Sequence, residues 1–167
     1  MVHTGTFSVP RTADQVFDLV ATPGRFAPQL PDFESVTMQD ATHFMLRIVI
    51  QVGPMSGHAN LAMELSDGER PVRVAYRGAA IIAGSTLQLN LEFGLTPAGG
   101  MTYVDWRGEL ALGGSLALLA GDLWETLGRQ NFERMAERLQ VSLCEQPAEP
   151  GKSNILQNPT GTLDFEI

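Results

Sequence analysis

Hydrophobic and polar residues alternate with a period of two through most of the chain, which predicts β-strands. A first strand is predicted over 3–9, and six more follow residue 33. Turn-forming segments that contain Gly, Pro or Asp separate the later strands, and Asp67-Gly68 is one of these predicted turns. The later strands are predicted at 33–39, 43–52, 57–66, 71–80, 84–96 and 101–112. Strands joined by such short turns form an antiparallel meander.

Three segments have helical rather than strand-like signals. Thr12-Ala-Asp-Gln15 is typical of a capping box at the start of a short helix. Thr22-Pro23 begins a second, brief helix, which Pro28 and Pro31 end. A long helix is predicted over about 115–140. Its apolar side is formed by Leu116, Leu119, Ala120, Leu123, Trp124, Leu127, Phe132, Met135 and Leu139.

The alternation also makes one face of the predicted sheet apolar across its width. In the strand 43–52, for example, Phe44 and Leu46 share one face while His43 and Arg47 share the other. An apolar sheet face must be covered, and the long helix offers a matching apolar side. We therefore predict an α+β helix-grip (START-like) fold. A curved antiparallel sheet of about seven strands wraps around a long C-terminal helix, with two short helices between strands 1 and 2.

The chain of 167 residues has the length of one domain. We assign 1–144 to a ligand-binding domain and 145–167 to a flexible C-terminal tail that contains several Pro, Gly, Ser and Asn residues. Residues 162–167 alternate polar and apolar side chains, which predicts a short strand. Two hypotheses stay open for this segment. It is a mobile terminus, or it docks on a sheet edge or groove of its own chain or of a neighbour.

Charge and composition exclude several classes of partner. The net charge is −8, from 11 Lys and Arg against 19 Asp and Glu, and no basic cluster is present. Nucleic acids and anionic lipid headgroups are therefore unfavourable partners. No apolar run approaches the ~20 residues that span a bilayer. We expect a cytoplasmic protein, a monomer or weak dimer, with at most peripheral membrane contact. Its single cysteine, Cys144, cannot form a disulfide within the chain.

The sequence contains no recognisable catalytic, metal-binding or cofactor-binding motif. The three histidines, His3, His43 and His58, lack the spacing of metal ligands. Charged residues near the end of the meander fall on the polar face of the sheet, where cross-strand ion pairs are expected. These residues are Glu92, Asp105, Arg107 and Glu109. We predict no catalytic residue, no metal and no cofactor.

The space between helix and sheet is the candidate binding site, as either a ligand cavity or a closed, packed core. Inner positions occupied by glycine favour a cavity, because they leave space unfilled. These glycines are Gly78, Gly84, Gly108, Gly113, Gly114 and Gly121. The predicted cavity wall consists of Phe26, Leu30, Ile48, Met63, Tyr76, Trp106, Ala120, Leu123, Trp124 and Leu127.

Four short segments between residues 4 and 139 resemble a known family. They are Gly5-Thr-Phe-Ser-Val-Pro10, Leu30-Pro31 followed by Glu34-Ser35-Val36, Val52-Gly53-Pro54 followed by Gly57, and Leu112-Gly-Gly-Ser-Leu-Ala117. Together they resemble the CoxG-like branch of the START-like (SRPBCC) superfamily, named after the CoxG subunit of carbon monoxide dehydrogenase. Asp32-Phe33 departs from the Gly and Cys that the family often has there, so any role of that cysteine is absent.

The resemblance implies a binding protein with a hydrophobic cavity. A lipid-like or quinone-like molecule is the implied ligand, and a molybdenum hydroxylase of the carbon monoxide dehydrogenase type is the implied partner. Two alternatives remain open. One is a chaperone-like accessory or maturation factor with a closed core. The other is an enzyme of the cyclase or aromatase type, which would need ionisable groups inside the cavity.

Overall fold

The computed structural model of the protein describes residues 1–52 and 54–145. Its elements are β1 (Val2–Val9), α1 (Ala13–Val20), α2 (Pro23–Phe26), a 3₁₀ turn (Ala27–Gln29), β2 (Phe33–Met38), β3 (His43–Val52), β4 (Met55–Glu69), β5 (Arg73–Ile82), β6 (Ser85–Ala98), β7 (Met101–Leu112) and α3 (Ser115–Glu145). The strands form one sheet in the order β1-β7-β6-β5-β4-β3-β2, and every neighbouring pair is antiparallel. The predicted helix-grip fold is confirmed.

The capping box predicted at the start of α1 is present. The backbone N–H of Gln15 donates to Thr12 Oγ1 at 3.2 Å, and the backbone N–H of Thr12 donates to Gln15 Oε1 at 3.0 Å. Helix α1 is also tied to the β4–β5 turn by Arg70, which pairs with Asp14 at 2.8 Å and with Asp18. These contacts hold the short helices against one end of the sheet.

The turn between β4 and β5 lies later in the chain than predicted. Asp67 and Gly68 belong to β4, where they pair with Ala75 and Val74 of β5. The pairing shifts register just before Asp67, so β4 continues through a bulge instead of ending there. The chain reverses around Pro71, which has no backbone N–H to donate to a strand.

Helix α3 is longer than predicted and is interrupted near its start. It reaches Glu145, and Gly121 has non-helical backbone angles, φ 46° and ψ −129°. The turns on either side of Gly121 therefore do not share one continuous apolar side. As a result Leu119 is 81% exposed and Leu123 is 49% exposed, although the periodicity predicts that both face the sheet. From Trp124 onward the predicted apolar side is confirmed, and Met135 and Leu139 are buried.

The core lies between the inner face of the sheet and the helices. Phe26 of α2 stacks on Tyr76 of β5 with ring centroids 4.7 Å apart, and Phe44 of β3 meets the same ring edge-on at 5.9 Å. The Tyr76 hydroxyl donates to the carbonyl oxygen of Val20 at 2.6 Å, so its polar end is satisfied. This aromatic cluster fills the end of the core near the short helices.

Two predictions concern residues that the structure does not describe. The tail beyond residue 145, with its predicted strand over 162–167, lies outside the described residues. The side chain of Ala120, a predicted wall residue, also lies outside what is described. Within residues 1–52 and 54–145, no helix combines the length and apolarity needed to cross a membrane.

Candidate functional site

A cavity of about 120 Å³ lies between α3 and the inner face of the sheet. Its sheet side is aliphatic and comes from three strands: Ile48 and Ile50 of β3, Leu87, Leu89 and Leu91 of β6, and Leu110 of β7. Its helix side is formed by Trp124, Leu127, Gly128, Asn131, Phe132 and Met135. The remaining lining comes from the segment before β2 and from β3, through Leu30, Pro31, Asp32, Val49 and Gln51. The walls are thus mostly apolar, and their polar side chains are Asp32, Gln51 and Asn131.

The helix side follows from the spacing of the residues in α3. Positions separated by three or four residues fall on one helix face, so the spacing from Trp124 to Met135 produces a single stripe. Gly128 lies within this stripe. A Cβ at Gly128 would lie 2.6 Å from Met1 Sδ, so the flexible side chain of Met1 packs directly on this glycine.

Four of the ten predicted wall residues line the cavity. They are Leu30, Ile48, Trp124 and Leu127. The prediction for Leu123 does not agree with the structure, because the break at Gly121 leaves that side chain half-exposed and off the cavity lining.

The other described wall candidates are core residues rather than lining residues. Phe26, Met63 and Tyr76 are buried in the core beside the cavity but do not line it. Trp106 is also buried. A Cβ at Gly5 would lie 2.6 Å from its ring, so the indole packs closely over the β1 backbone instead of lining the cavity.

The glycines do not open the cavity as expected from the sequence. A Cβ at Gly108 would lie 2.5 Å from the ring of Phe132, so this space is already filled by an aromatic side chain. The space beside Gly78 is likewise filled by Met63. Gly78 and Gly108 therefore permit close packing of large side chains against the sheet, and none of the six predicted glycines lines the cavity. The cavity lies instead where leucines of β6 and β7 face the helix.

The sequence reasoning missed Asn131 as a lining residue. Its signal was present, because Asn131 is a polar residue seven positions after Trp124 on the apolar stripe of α3. The aliphatic lining from β6 was also available from the strict alternation of Leu87, Leu89 and Leu91. Alternation alone places these leucines on the apolar face of the sheet, but it does not show that they line the cavity.

The cavity has one ionisable residue among its described lining side chains. This residue is Asp32, which has a positive φ of 61° before β2, and its carboxylate lies 3.4 Å from Arg134 Nη2 of α3. Its backbone carbonyl accepts from the N–H of Val49 at 2.9 Å. Asp32 and Arg134 are both about half-exposed, so the pair lies toward solvent and links the helix to the segment before β2.

The buried Tyr76 phenol offers no proton for chemistry in the cavity. Burial raises the pKa of Tyr76 well above its usual value of 10.0, because the charged phenolate would lose its hydration. The hydroxyl is committed to the Val20 carbonyl and does not line the cavity. The interior wall of the cavity is therefore suited to binding apolar groups rather than to acid–base chemistry.

The polar face of the sheet has the cross-strand ion pairs that its sequence predicts. Arg107 lies 4.0 Å from Glu92 on the neighbouring strand β6, and 3.6 Å from Glu109 on its own strand β7. Asp105 instead accepts a hydrogen bond from Thr6 Oγ1 at 2.8 Å. The histidines on this face also contact carboxylates: His58 Nδ1 lies 3.0 Å from Glu34, and His43 Nδ1 lies 3.0 Å from Asp40. These contacts are on the side of the sheet away from the cavity.

A curved sheet, a gripping helix and an apolar cavity between them define a helix-grip ligand-binding protein. The family model of CoxG, a subunit of carbon monoxide dehydrogenase, matches residues 5–144, and the chain belongs to this family. No curated protein matches the chain in sequence.

Solved structures share the fold at low sequence identity. A conserved protein from Geobacillus kaustophilus is 12% identical with a TM-score of 0.73, over 86% of this chain and 95% of that one. A START superfamily protein from Mycobacterium smegmatis is 10% identical with a TM-score of 0.63, over 85% and 96%. The Zhui aromatase/cyclase from Streptomyces sp. R1128 is 16% identical with a TM-score of 0.63, over 86% and 93%. At these identities the likeness concerns the fold alone.

Proposed function

We propose that this protein is a carrier that binds an apolar small molecule of lipid or quinone type between α3 and the sheet. The observation that carries the proposal is the cavity of about 120 Å³ with aliphatic and aromatic walls. Transfer of apolar surface from water into such a site is favourable by about 25 cal/mol per Å². The fold and the CoxG family membership support the same role.

The size of the cavity limits what it holds. Cavities of about 150 Å³ lined by Leu, Ile and Phe bind benzene, so the space here fits one ring or a short branched chain. A longer tail would extend past Val49 and Gln51, where the cavity lining is exposed to solvent. A ring-bearing ligand whose tail leaves the cavity is therefore the favoured class.

We also propose that the protein is not itself an enzyme and that it serves a molybdenum hydroxylase of the carbon monoxide dehydrogenase type. The one ionisable side chain among the described lining residues, Asp32, is about half-exposed and paired with Arg134, which supports the first part. The description of the matching family supports the second. Copurification of the untagged hydroxylase with this chain, at constant stoichiometry through gel filtration, tests the association.

One observation favours a second function, an accessory factor with a closed core. Large side chains fill the spaces beside Gly5, Gly78 and Gly108, so much of the interior is tightly packed. In this alternative the remaining cavity is a packing gap, and no ligand enters it. Filling the cavity by mutation distinguishes the two functions.

Leu89 is the position for this test, because it lies mid-strand on the cavity wall opposite α3. Leu89→Trp should occupy the free space and lower the affinity for duroquinone at least tenfold in equilibrium dialysis. Duroquinone is chosen because its fully substituted ring cannot add to the exposed thiol of Cys144. The matched control is Gln88→Trp, which places the same side chain on the opposite, exposed face and should change the affinity less than twofold.

Two results would favour the closed core. One is no duroquinone binding by the wild-type protein. The other is a loss of about 3 kcal/mol of stability in Leu89→Trp, which is typical of an overpacked core without free space. Equal binding by all three proteins would place the ligand outside the cavity.

A further inference from the structure

The apolar cavity has two polar groups in its wall that lack hydrogen-bond partners. Trp124 Nε1 and Asn131 Oδ1 are buried side-chain atoms without a partner, and both residues line the cavity. Trp124 is 9% exposed, so its indole N–H has no access to bulk water. One group is a donor and the other is an acceptor. His3 Nε2 is also without a partner, but His3 does not line the cavity.

Such groups are unusual in a folded protein, because buried donors and acceptors are normally paired. Leaving one unpaired forfeits its hydrogen bonds to water without replacement. A ligand that supplied the missing partners would recover this loss on binding. The unpaired atoms therefore indicate which polar groups the ligand carries. The apolar walls indicate only that the rest of the ligand is hydrophobic.

The two groups lie on one side of the cavity. They are seven residues apart on α3, about two turns or about 10 Å along the axis. Apolar residues, including Leu127 and Gly128, lie between them on the same stripe. Across the cavity from α3, the lining from β6 and β7 is aliphatic and includes Leu89 and Leu110. No polar side chain on that opposite wall competes for them within the described lining.

We propose that the site prefers a ring compound that carries hydroxyl groups, such as the quinol form of a quinone-type ligand, over a pure hydrocarbon or a ring with acceptors only. The oxygen atoms of this compound accept from Trp124 Nε1, and a hydroxyl proton is donated to Asn131 Oδ1. Both protein atoms have almost no accessible surface in the ligand-free protein, so the proposal requires the neighbouring side chains to move apart when the ligand binds. This inference rests on the proposed carrier function and specifies its ligand.

Three ring probes of similar size test the proposal in titration calorimetry. p-Cresol offers a donor and an acceptor, 4-methylanisole offers only an acceptor, and p-xylene offers neither. For each protein we take the ratio of the affinities of two probes and compare that ratio between the variant and the wild type. Differences in hydration between the probes are the same for both proteins and cancel. A change in cavity volume affects probes of similar size alike and also cancels. Trp124→Phe should reduce the ratio of 4-methylanisole to p-xylene about threefold to tenfold, the size of one neutral hydrogen bond. Asn131→Leu should reduce the ratio of p-cresol to 4-methylanisole by a similar factor.

The matched control is Trp106→Phe, because Trp106 is buried but does not line the cavity. This variant should leave both ratios unchanged. Asn131→Leu should also be at least as stable as the wild type in urea when no ligand is present, since it removes an unpaired polar atom from the interior.

Each other outcome would overturn the inference in a distinguishable way. If the probes bind and their ratios are the same in wild type, Trp124→Phe and Asn131→Leu, the polar pair does not contact the ligand. A clear loss of stability in ligand-free Asn131→Leu would show that the amide already has a partner. If none of the three probes binds the wild-type protein, the proposed carrier function fails and this inference fails with it.

Discussion

Gly108 is the position where one added methyl group tests the packing of α3 on the sheet. A Cβ there would lie 2.5, 2.6 and 2.7 Å from three ring atoms of Phe132. Carbon atoms in favourable contact are about 3.5–4.0 Å apart, so Gly108→Ala must displace the ring by about 1 Å. Overpacking of this kind costs about 1–3 kcal/mol. For a domain of this size that corresponds to a fall in Tm of about 2–12 °C.

The direction in which Phe132 moves connects this perturbation to the cavity. The ring has Trp106 at 6.3 Å and His3 at 6.0 Å between centroids, and it also lines the cavity. The free space is on the cavity side. We therefore expect Gly108→Ala to push the ring into the cavity and to weaken duroquinone binding as well as stability.

Urea denaturation and equilibrium dialysis measure the two effects. The matched control is Gly94→Ala, also in a strand, where the nearest atom to an added Cβ is a backbone oxygen at 4.0 Å. It should change the free energy of unfolding by less than about 0.5 kcal/mol and leave binding unchanged. Equal stability and equal binding in the two variants would refute the close contact between Gly108 and Phe132.

Two further predictions concern residues that do not line the cavity. Leu139→Ala removes a fully buried side chain and should cost about 2–5 kcal/mol in urea denaturation, whereas Leu118→Ala, at a position 87% exposed, should be nearly neutral. The backbone N–H groups of Thr42 and His43 lower the pKa of Asp40 from 3.8 to about 2. Its contribution to stability should therefore be complete above pH 3.8 and be lost as the pH falls toward 2; an NMR titration that gives Asp40 an ordinary pKa would contradict this.

The sequence predicts an element well where the physical signal is local and uninterrupted. Strand β3 runs over His43–Val52 as predicted, because its alternation is regular and turn-forming residues precede it. The capping box of α1 is similarly local, since Thr12 and Gln15 satisfy each other's backbone. In such segments the secondary structure is the same whichever strand or helix packs against them.

Two features could not be predicted because they depend on pairing between distant residues. Asp67-Gly68 has the composition of a turn, yet β5 pairs with both residues and extends β4 past them. Gly121 gives no local sign of the break in α3, since one glycine is tolerated inside a helix. The break nevertheless decides that Leu123 faces solvent.

The wall of the candidate site was partly predictable for a related reason. Periodicity identifies which side chains face inward, and it correctly places Trp124 and Leu127 on the side of α3 that meets the sheet. It does not separate residues that line a gap from residues that fill the core. Tyr76 and Met63 face inward like Leu89, but only the last lies on the cavity.

The central claim is that an apolar ligand occupies the space between α3 and the sheet. NMR of the full chain with labelled leucine and isoleucine methyl groups, titrated with duroquinone, measures this most directly. We predict intermolecular contacts from the ligand methyls to Leu89, Leu110 and Leu127, which line the cavity from three different elements. Contacts confined to the exposed Leu118 and Leu119, or no contact to any labelled methyl group, would contradict the account.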